Sequence, residues 1–575
     1  MATLQPIHDI AEICFQKNIE DVILCPGSRS AALTISFVRH PGIKTYSLSD
    51  ERSAAFTGMG MAQQSQKTVA LICTSGSAAY NFAPAIVEAF FQEIPLLILT
   101  ADRPPEWIHQ YDGQTIYQKD IYGKNIKASF ELPADYSHPD AVWQIQRIVN
   151  EAINLAQAAP KGPVHINVPI REPFYPAEDE SVHFDKQVKV IQNLSLEKTL
   201  GTETWIDLIS IWNSCEKKLI AVGQTEGDLH ALLKPFSEEL LIPVVGDSIS
   251  NIHHAGADFI DAHDIFTGRI SDDSLSPDLL ITCGKSFISK SFKQYIRKNK
   301  PLYHWHIQEN PNLIDPFQSL THKIEVSPAY FFHKLFEDLD FLKFKEGDEE
   351  EDASYFNLWQ KANILSKKVM AEFLADVNYG EFKATDLLLR KLPENSIIHL
   401  GNSMPVRYAN LLGIEALKNI KVYANRGTSG IDGILSTAIG QAMKTDKIVT
   451  CLIGDVSFFY DRNALWNNYL PKNLRIVLVN NQGGNIFRII DGPDKQPELE
   501  DYFVTSQKHT AETLAKESGF IYQAVKNMND LEVAFETFYK NTDQGQLIEI
   551  FTDGNADAVV FQEFRNIANR KLSNL

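Results

Sequence analysis

The sequence predicts an α/β protein of three consecutive domains, each a mainly parallel sheet flanked by helices. Two observations carry this. Short, near-continuous apolar runs alternate with helix-like stretches along the whole chain, the pattern of parallel strands buried on both faces. The 575 residues also exceed what one core can organise, and about three domains is the natural division.

In the first third, DVILCPG, KTYSLS, TVALICTS, PLLILTAD and GPVHINVP read as strands, with ERSAAFTGMGMAQQS and SAAYNFAPAIVEAFFQ as helices between them. The middle third repeats the theme with KKLIAVGQ, LIPVVGD, PDLLITCG and PLYHWHIQ. An acidic run, EGDEEED from Glu346 to Asp352, reads as a solvated linker. Strands resume with SIIHLGNS, KVYANRG, KIVTCLIGD, RIVLVNN and QLIEIFTD. The expected domains span residues 1–180, 181–345 and 346–575, with no short-period repeat.

Composition narrows the function classes. Hydrophobic residues make up 44% and charged residues 22%, as in ordinary globular proteins. No run of about 18 apolar residues is present, so no membrane span is expected. The stretch Met1–Phe15 carries Asp9 and Glu12 and lacks a basic head with an apolar run, so no secretion signal is expected. The six cysteines are scattered without a Cys-x-x-Cys pair, and several sit in apolar strand-like runs and read as reduced, buried thiols. Together these predict a cytoplasmic protein. A net charge of −19 argues against nucleic acid as a partner, and obliges any site for anions to gather its cations locally.

The strongest chemical signal lies in the last domain. The run KIVTCLIGD ends in Gly454-Asp455; a helix-like run, DRNALWNN, follows; then RIVLVNN ends at Asn480-Asn481, before Gln482-Gly483-Gly484. In an open parallel sheet ligands bind at the carboxyl ends of strands, which puts Asp455 and Asn481 side by side. A carboxylate, an amide oxygen and a loop carbonyl suit a hard cation such as magnesium, which binds phosphate oxygens as well. The helix after the first strand can aim free amides at those phosphates. Either piece alone reads as a simple turn; the ordered pair in a strand–helix–strand frame does not.

At these residues the chain resembles the thiamine-diphosphate-dependent enzymes. The usual Gly-Asp-Gly is Gly-Asp-Val here, and GDVSFFYD with NNQGGNIF is similar to one branch, the 2-succinyl-5-enolpyruvyl-6-hydroxy-3-cyclohexene-1-carboxylate (SEPHCHC) synthases of menaquinone biosynthesis. The resemblance implies a thiamine-diphosphate-binding fold: a pyrimidine-binding first domain, a Rossmann-like central domain without a dinucleotide, and a diphosphate- and magnesium-binding last domain. It implies magnesium, or manganese in its place, on Asp455, Asn481 and the Gly483 carbonyl. Gly454, Ser457, Ser429 and Ile431 are implied around the cofactor, Ile431 propping it in a bent form. Glu51, in SLSDERSAAFTG, matches the glutamate that bonds the aminopyrimidine; taken alone, without that match and the downstream motif, it reads as a helix N-terminal acid beside Asp50.

The resemblance extends to CPGSRSA with Ser28 and Arg29, TADRPPE with Arg103, YDGQT with Gln114, GNSMPVR with Ser403 and Arg407, and NRGTSGIDG with Arg426. These imply a site for two dicarboxylates, 2-oxoglutarate and isochorismate, since a guanidinium grips a carboxylate two-pronged. The implied reaction is decarboxylation of 2-oxoglutarate and 1,4-addition of the resulting carbanion to isochorismate. Lys290, in GKSFISKS, matches a family Lys-Arg pair whose arginine is here Ser291. Phe487 and Ile489 read either as pocket wall or as core. The arginines and the GDVSFFYD variant separate the chain from acetolactate synthases and 2-oxo acid decarboxylases. The retention of Glu51, Asp455 and Asn481 separates it from a non-catalytic scaffold. A homodimer or homotetramer is implied, with sites between subunits.

Overall fold

A computed structural model describes residues 4–172, 174–176, 181–194, 196–253, 259–270, 272–346, 353–414, 418–540 and 543–573. Strands β1 (Asp21–Leu24), β2 (Lys44–Ser47), β3 (Val69–Cys73), β4 (Leu96–Asp102), β5 (Ala128–Glu131) and β6 (Val164–Pro169) form a first sheet, ordered β2-β1-β3-β4-β6-β5. A central sheet holds β7 (Lys218–Val222), β8 (Val244–Gly246), β9 (Leu279–Cys283), β10 (Tyr303–Ile307) and β11 (His322–Ile324), ordered β11-β10-β9-β7-β8. The last holds β12 (Ile397–Leu400), β13 (Lys421–Ala424), β14 (Val449–Gly454), β15 (Leu474–Asn480), β16 (Ile521–Val525) and β17 (Gln546–Phe551), ordered β13-β12-β14-β15-β17-β16. Every registered pair within these sheets is parallel. The predicted fold class is therefore the observed one. The first and last sheets also share one strand order, so the same topology occurs twice in the chain.

Three strands escaped the sequence reading: β5, β11 and β16. Each is an edge strand. An edge strand buries less than a central one: all four residues of β5 are half-buried, whereas all seven of β4 are buried. The acidic run, past Glu346 where the helix Pro328–Glu346 ends, lies outside the described residues, as does the expected boundary at 180. The six cysteines are free and buried, as expected. Among the described residues no helix is long and apolar enough to cross a membrane.

The first and last domains meet where the helix Glu51–Ser65 crosses the helix Ile434–Ala442. Glycine makes this crossing close. A Cβ on Gly60 would lie 2.1 Å from the Thr437 carbonyl oxygen, and one on Gly440 would lie 2.0 Å from that of Thr57. Arg52 donates to the Tyr460 carbonyl at 2.8 Å, and Asn463 donates to Asp50 at 2.7 Å. The central domain covers the β13 edge: the Asn251 amide accepts from Val422 N at 2.7 Å and donates to Val422 O at 3.0 Å, standing in for a neighbouring strand.

One helix of this crossing is pinned by a buried acid. Asp461 accepts from Ser436 N and Ser436 Oγ, both at 2.8 Å, and has no exposure to solvent. Burial pushes its carboxyl up to about 7, against the pull of the Ser436 donors. An acid raised in the folded state holds a proton the unfolded chain has lost, so its stability contribution falls as pH rises from about 4 to about 7. The Asp461→Asn variant is expected to gain on the wild type across that window, by about 4 kcal/mol, and to hold a constant difference above it. Urea unfolding at a series of pH values checks this; parallel pH profiles would refute it.

Candidate functional site

The structure sets Asp455 and Asn481 on adjacent strand ends. Strands β14 and β15 are hydrogen-bonded neighbours with Gly454 opposite Val479, so both residues emerge at the same carboxyl edge. The helix expected over DRNALWNN begins earlier. It runs Asp455–Tyr460, and only a 3-10 turn, Arg462–Leu465, falls in the expected stretch. The reason is that Asp461 and Asn463 are drawn into contacts with Ser436 and Asp50.

Asp455 is 2% exposed and accepts from Gln507 Nε2 at 2.7 Å. Burial pushes its carboxyl up to about 6, and the Gln507 bond opposes this. The Asn481 amide donates through Nδ2 to Glu381 and accepts at Oδ1 from Gly483 N at 3.2 Å. Gly483 has φ +157°, and a Cβ there would lie 2.8 Å from the Val504 carbonyl oxygen, so this turn needs glycine.

A cavity of about 410 Å³ opens over these strand ends. Gly454, Asp455, Ser457, Asn481 and Gly483 line one side of it, together with Ser403, Arg407, Arg426, Ser429, Ile431 and Phe487. The structure thus gathers eleven sequence-predicted residues into one space. Arg407 Nη1 donates to the Ser403 carbonyl at 2.5 Å. Arg426 donates to Asn402 Oδ1 at 2.9 Å. Burial lowers both guanidinium pKa values, and the two cations oppose each other at Arg426. Two part-buried guanidiniums in one cavity of an acidic chain make a local anion site. Ser457 Oγ donates to the Ile431 carbonyl, tying the Ile431 loop to the helix Asp455–Tyr460. Phe487 lines the cavity; Ile489 does not, and packs instead against the apolar core.

The first-domain candidates lie elsewhere. Arg29 donates to the Ile170 carbonyl at 3.1 Å and stacks 4.3 Å from the Phe174 ring centroid. Arg103 reaches Ser75 Oγ at 2.9 Å, the Gln114 carbonyl at 3.3 Å and the Asp112 carboxylate. Arg29 and Arg103 feel each other's charge, which places them, with Gln114, in one cluster at the ends of β1, β3 and β4. Ser28 is exposed on the loop after β1. Glu51 starts its helix half-buried, 3.4 Å from the Asn81 amide. Asp50, not Glu51, caps that helix by accepting from Ser53 N at 3.1 Å. Among the described residues, none of the cavity's lining comes from the first domain.

Lys290 is exposed at the start of the helix Lys290–Lys298 and does not line the cavity. Ser291, in the family arginine's place, bonds Asp264 at 2.5 Å. Lys293, one turn on, is the lysine of this helix whose charge meets Arg426. Sequence reasoning also missed Glu381, Gln507 and Asn402. The one available signal was Glu381 itself, an acid on the same face as buried Thr385 and Leu388.

Known proteins are similar to this chain over nearly its whole length. Residues 7–121 match the thiamine pyrophosphate enzyme N-terminal TPP binding domain. The 2-succinyl-5-enolpyruvyl-6-hydroxy-3-cyclohexene-1-carboxylate synthase of Cytophaga hutchinsonii is 44% identical over 98% of this chain and 98% of its own. The chain belongs to the SEPHCHC synthase family. Synthases of the same name from Flavobacterium johnsoniae and Bacteroides thetaiotaomicron are 37% and 36% identical, over 97% and 96% of this chain and 98% and 97% of theirs. As a member of the SEPHCHC synthase family, the chain is a thiamine-diphosphate-dependent transferase of the three-domain α/β fold.

Proposed function

We propose that the chain is the SEPHCHC synthase of menaquinone biosynthesis, joining 2-oxoglutarate, with loss of carbon dioxide, to isochorismate. The observation that carries this is one cavity holding both a hard-cation donor set and a pair of guanidiniums. Asp455, Asn481 and the Gly483 carbonyl fit magnesium: they are oxygen donors on one strand edge, two of them already oriented by neighbours. Manganese suits the same donors. On this reading residues 1–180 hold the aminopyrimidine, 346–575 the diphosphate, and 181–345 brace the site, all in the cytoplasm.

When bound, the cofactor supplies an electron sink for the carbanion left by decarboxylation. Glu51 holds or moves a proton at the aminopyrimidine. Ile431 supports the cofactor's bend, with Gly454, Ser457 and Ser429 around it. Arg407 and Arg426, with Ser403 and Phe487, orient a dicarboxylate in the cavity. Ser28, Arg29, Arg103 and Gln114 form the opposing cation cluster, and Lys290 is a peripheral contributor. On this reading two chains build each site, which is supported by the absence of Glu51 and its cluster from the cavity's lining among the described residues.

Mass spectrometry of the product from 2-oxoglutarate with and without isochorismate tests the reaction. A joined product lighter by carbon dioxide supports it; succinic semialdehyde alone in both cases refutes it. Arg407→Ala is expected to lower kcat/KM by about ten- to a hundredfold, a lost charged hydrogen bond of about 1.5–3 kcal/mol, while thiamine diphosphate affinity holds. Loss of cofactor affinity with substrate use unchanged would reverse the assignment.

A further inference from the structure

An amide ligand poses a problem that a carboxylate does not. Asn481 carries one oxygen and one NH₂ on a flat group, and only the oxygen can hold a cation. Half a turn about its last torsion exchanges the two. Asp455 has two equivalent oxygens and needs no such choice.

The structure supplies a neighbour that makes the choice. Asn481 Nδ2 donates to Glu381 Oε1, which leaves Oδ1 facing the Gly483 loop, where it accepts from Gly483 N at 3.2 Å. Glu381 is 2% exposed and lines the same cavity. It comes from a different element, as the first residue of the helix Glu381–Lys391. Its own position is set from a third: Glu381 N donates to Asp557 Oδ1 at 2.9 Å, on the helix Gly554–Leu572. A carboxyl acceptor on one side of an amide draws the NH₂ to that side, because two facing oxygens repel.

We propose that Glu381 is a positioning residue that fixes the orientation of the Asn481 amide, presenting Oδ1 to the cation. This rests on the reading of Asn481 as a metal ligand. Partners that orient a metal ligand typically contribute ten- to a hundredfold in metal affinity.

The test is calorimetric titration of magnesium into the full-length chain with saturating thiamine diphosphate. Glu381→Leu is expected to weaken magnesium binding by about tenfold or more. Glu381→Gln keeps a carbonyl acceptor and is expected to lose much less. In an Asn481→Asp background, where both outer atoms are oxygens, Glu381→Leu is expected to cost nothing further. Melting of each cofactor-free variant separates loss of fold from loss of orientation. Wild-type magnesium affinity in a folded Glu381→Leu overturns the proposal, and so does an equal loss in both backgrounds. If Asn481→Asp binds no magnesium, the glutamine variant decides: a loss as large as leucine's overturns the proposal, and retention supports it. Magnesium-independent cofactor binding by the wild type would instead sink the assignment of Asn481, a distinguishable result.

Discussion

Asp455→Ala is expected to abolish magnesium-supported binding of thiamine diphosphate, and activity with it. Asp455 is the one carboxylate of the proposed donor set, it is 2% exposed, and Gln507 holds one of its oxygens at 2.7 Å. Removing it leaves a neutral amide and a neutral carbonyl facing a divalent ion and a diphosphate. Neither can replace the lost charge. The measurement is cofactor affinity by fluorescence quenching across a magnesium series. The variant should show no magnesium dependence at concentrations that saturate the wild type, with its cofactor-free melting temperature little changed. Retained, magnesium-dependent binding would remove Asp455 from the donor set.

Glu51→Gln is expected to be nearly inactive as well, for a different reason, and the two variants should rescue each other. Glutamine keeps the size of Glu51 but cannot exchange its proton, so deuterium exchange at the thiazolium carbon of bound cofactor should slow severely. On the proposed reading Glu51 and Asp455 serve one small molecule, yet among the described residues none of the first domain lines the cavity. A two-fold dimer resolves this by placing the first domain of each subunit against the last domain of its partner. In a mixed dimer of Glu51→Gln and Asp455→Ala chains, one site collects both defects and the other collects neither. The isolated mixed species, purified through two different tags, should show about half of wild-type activity per dimer, and random pairing about a quarter of wild-type sites. An inactive mixed dimer with cofactor bound would place each site within one chain.

The reach of the sequence followed burial. Strands in the middle of a sheet, such as β4 and β14, are apolar on both faces and stand out in the chain. The edge strands β5, β11 and β16 do not, because one flank meets solvent and their residues are free to be polar. The helix Glu51–Ser65 was legible to the residue, since Asp50, next to it in sequence, caps it. The stretch after Asp455 was misplaced because Asp461 and Asn463 take partners far away in sequence, Ser436 and Asp50.

The site divides along the same line. Asp455, Asn481 and Gly483 were legible because strand ends fix where they emerge, and strand ends are a local property. The arginines were legible through motif resemblance, but not their grouping. Only the folded chain sets Arg407 and Arg426 in one cavity and leaves Arg29 and Arg103 in another cluster. Lys290 and Lys293 differ only by which side of one helix meets Arg426, and that is decided by how the central domain packs. Glu381 bears on Asn481 across 100 residues of chain, through a single hydrogen bond. The sequence by itself determined the central strands, the three-sheet plan and which residues stand at the strand ends, because these follow from short-range periodicity and backbone geometry. Tertiary structure alone decided which charges face one another and which neighbours orient them, because contacts between distant segments leave no periodic trace in the chain.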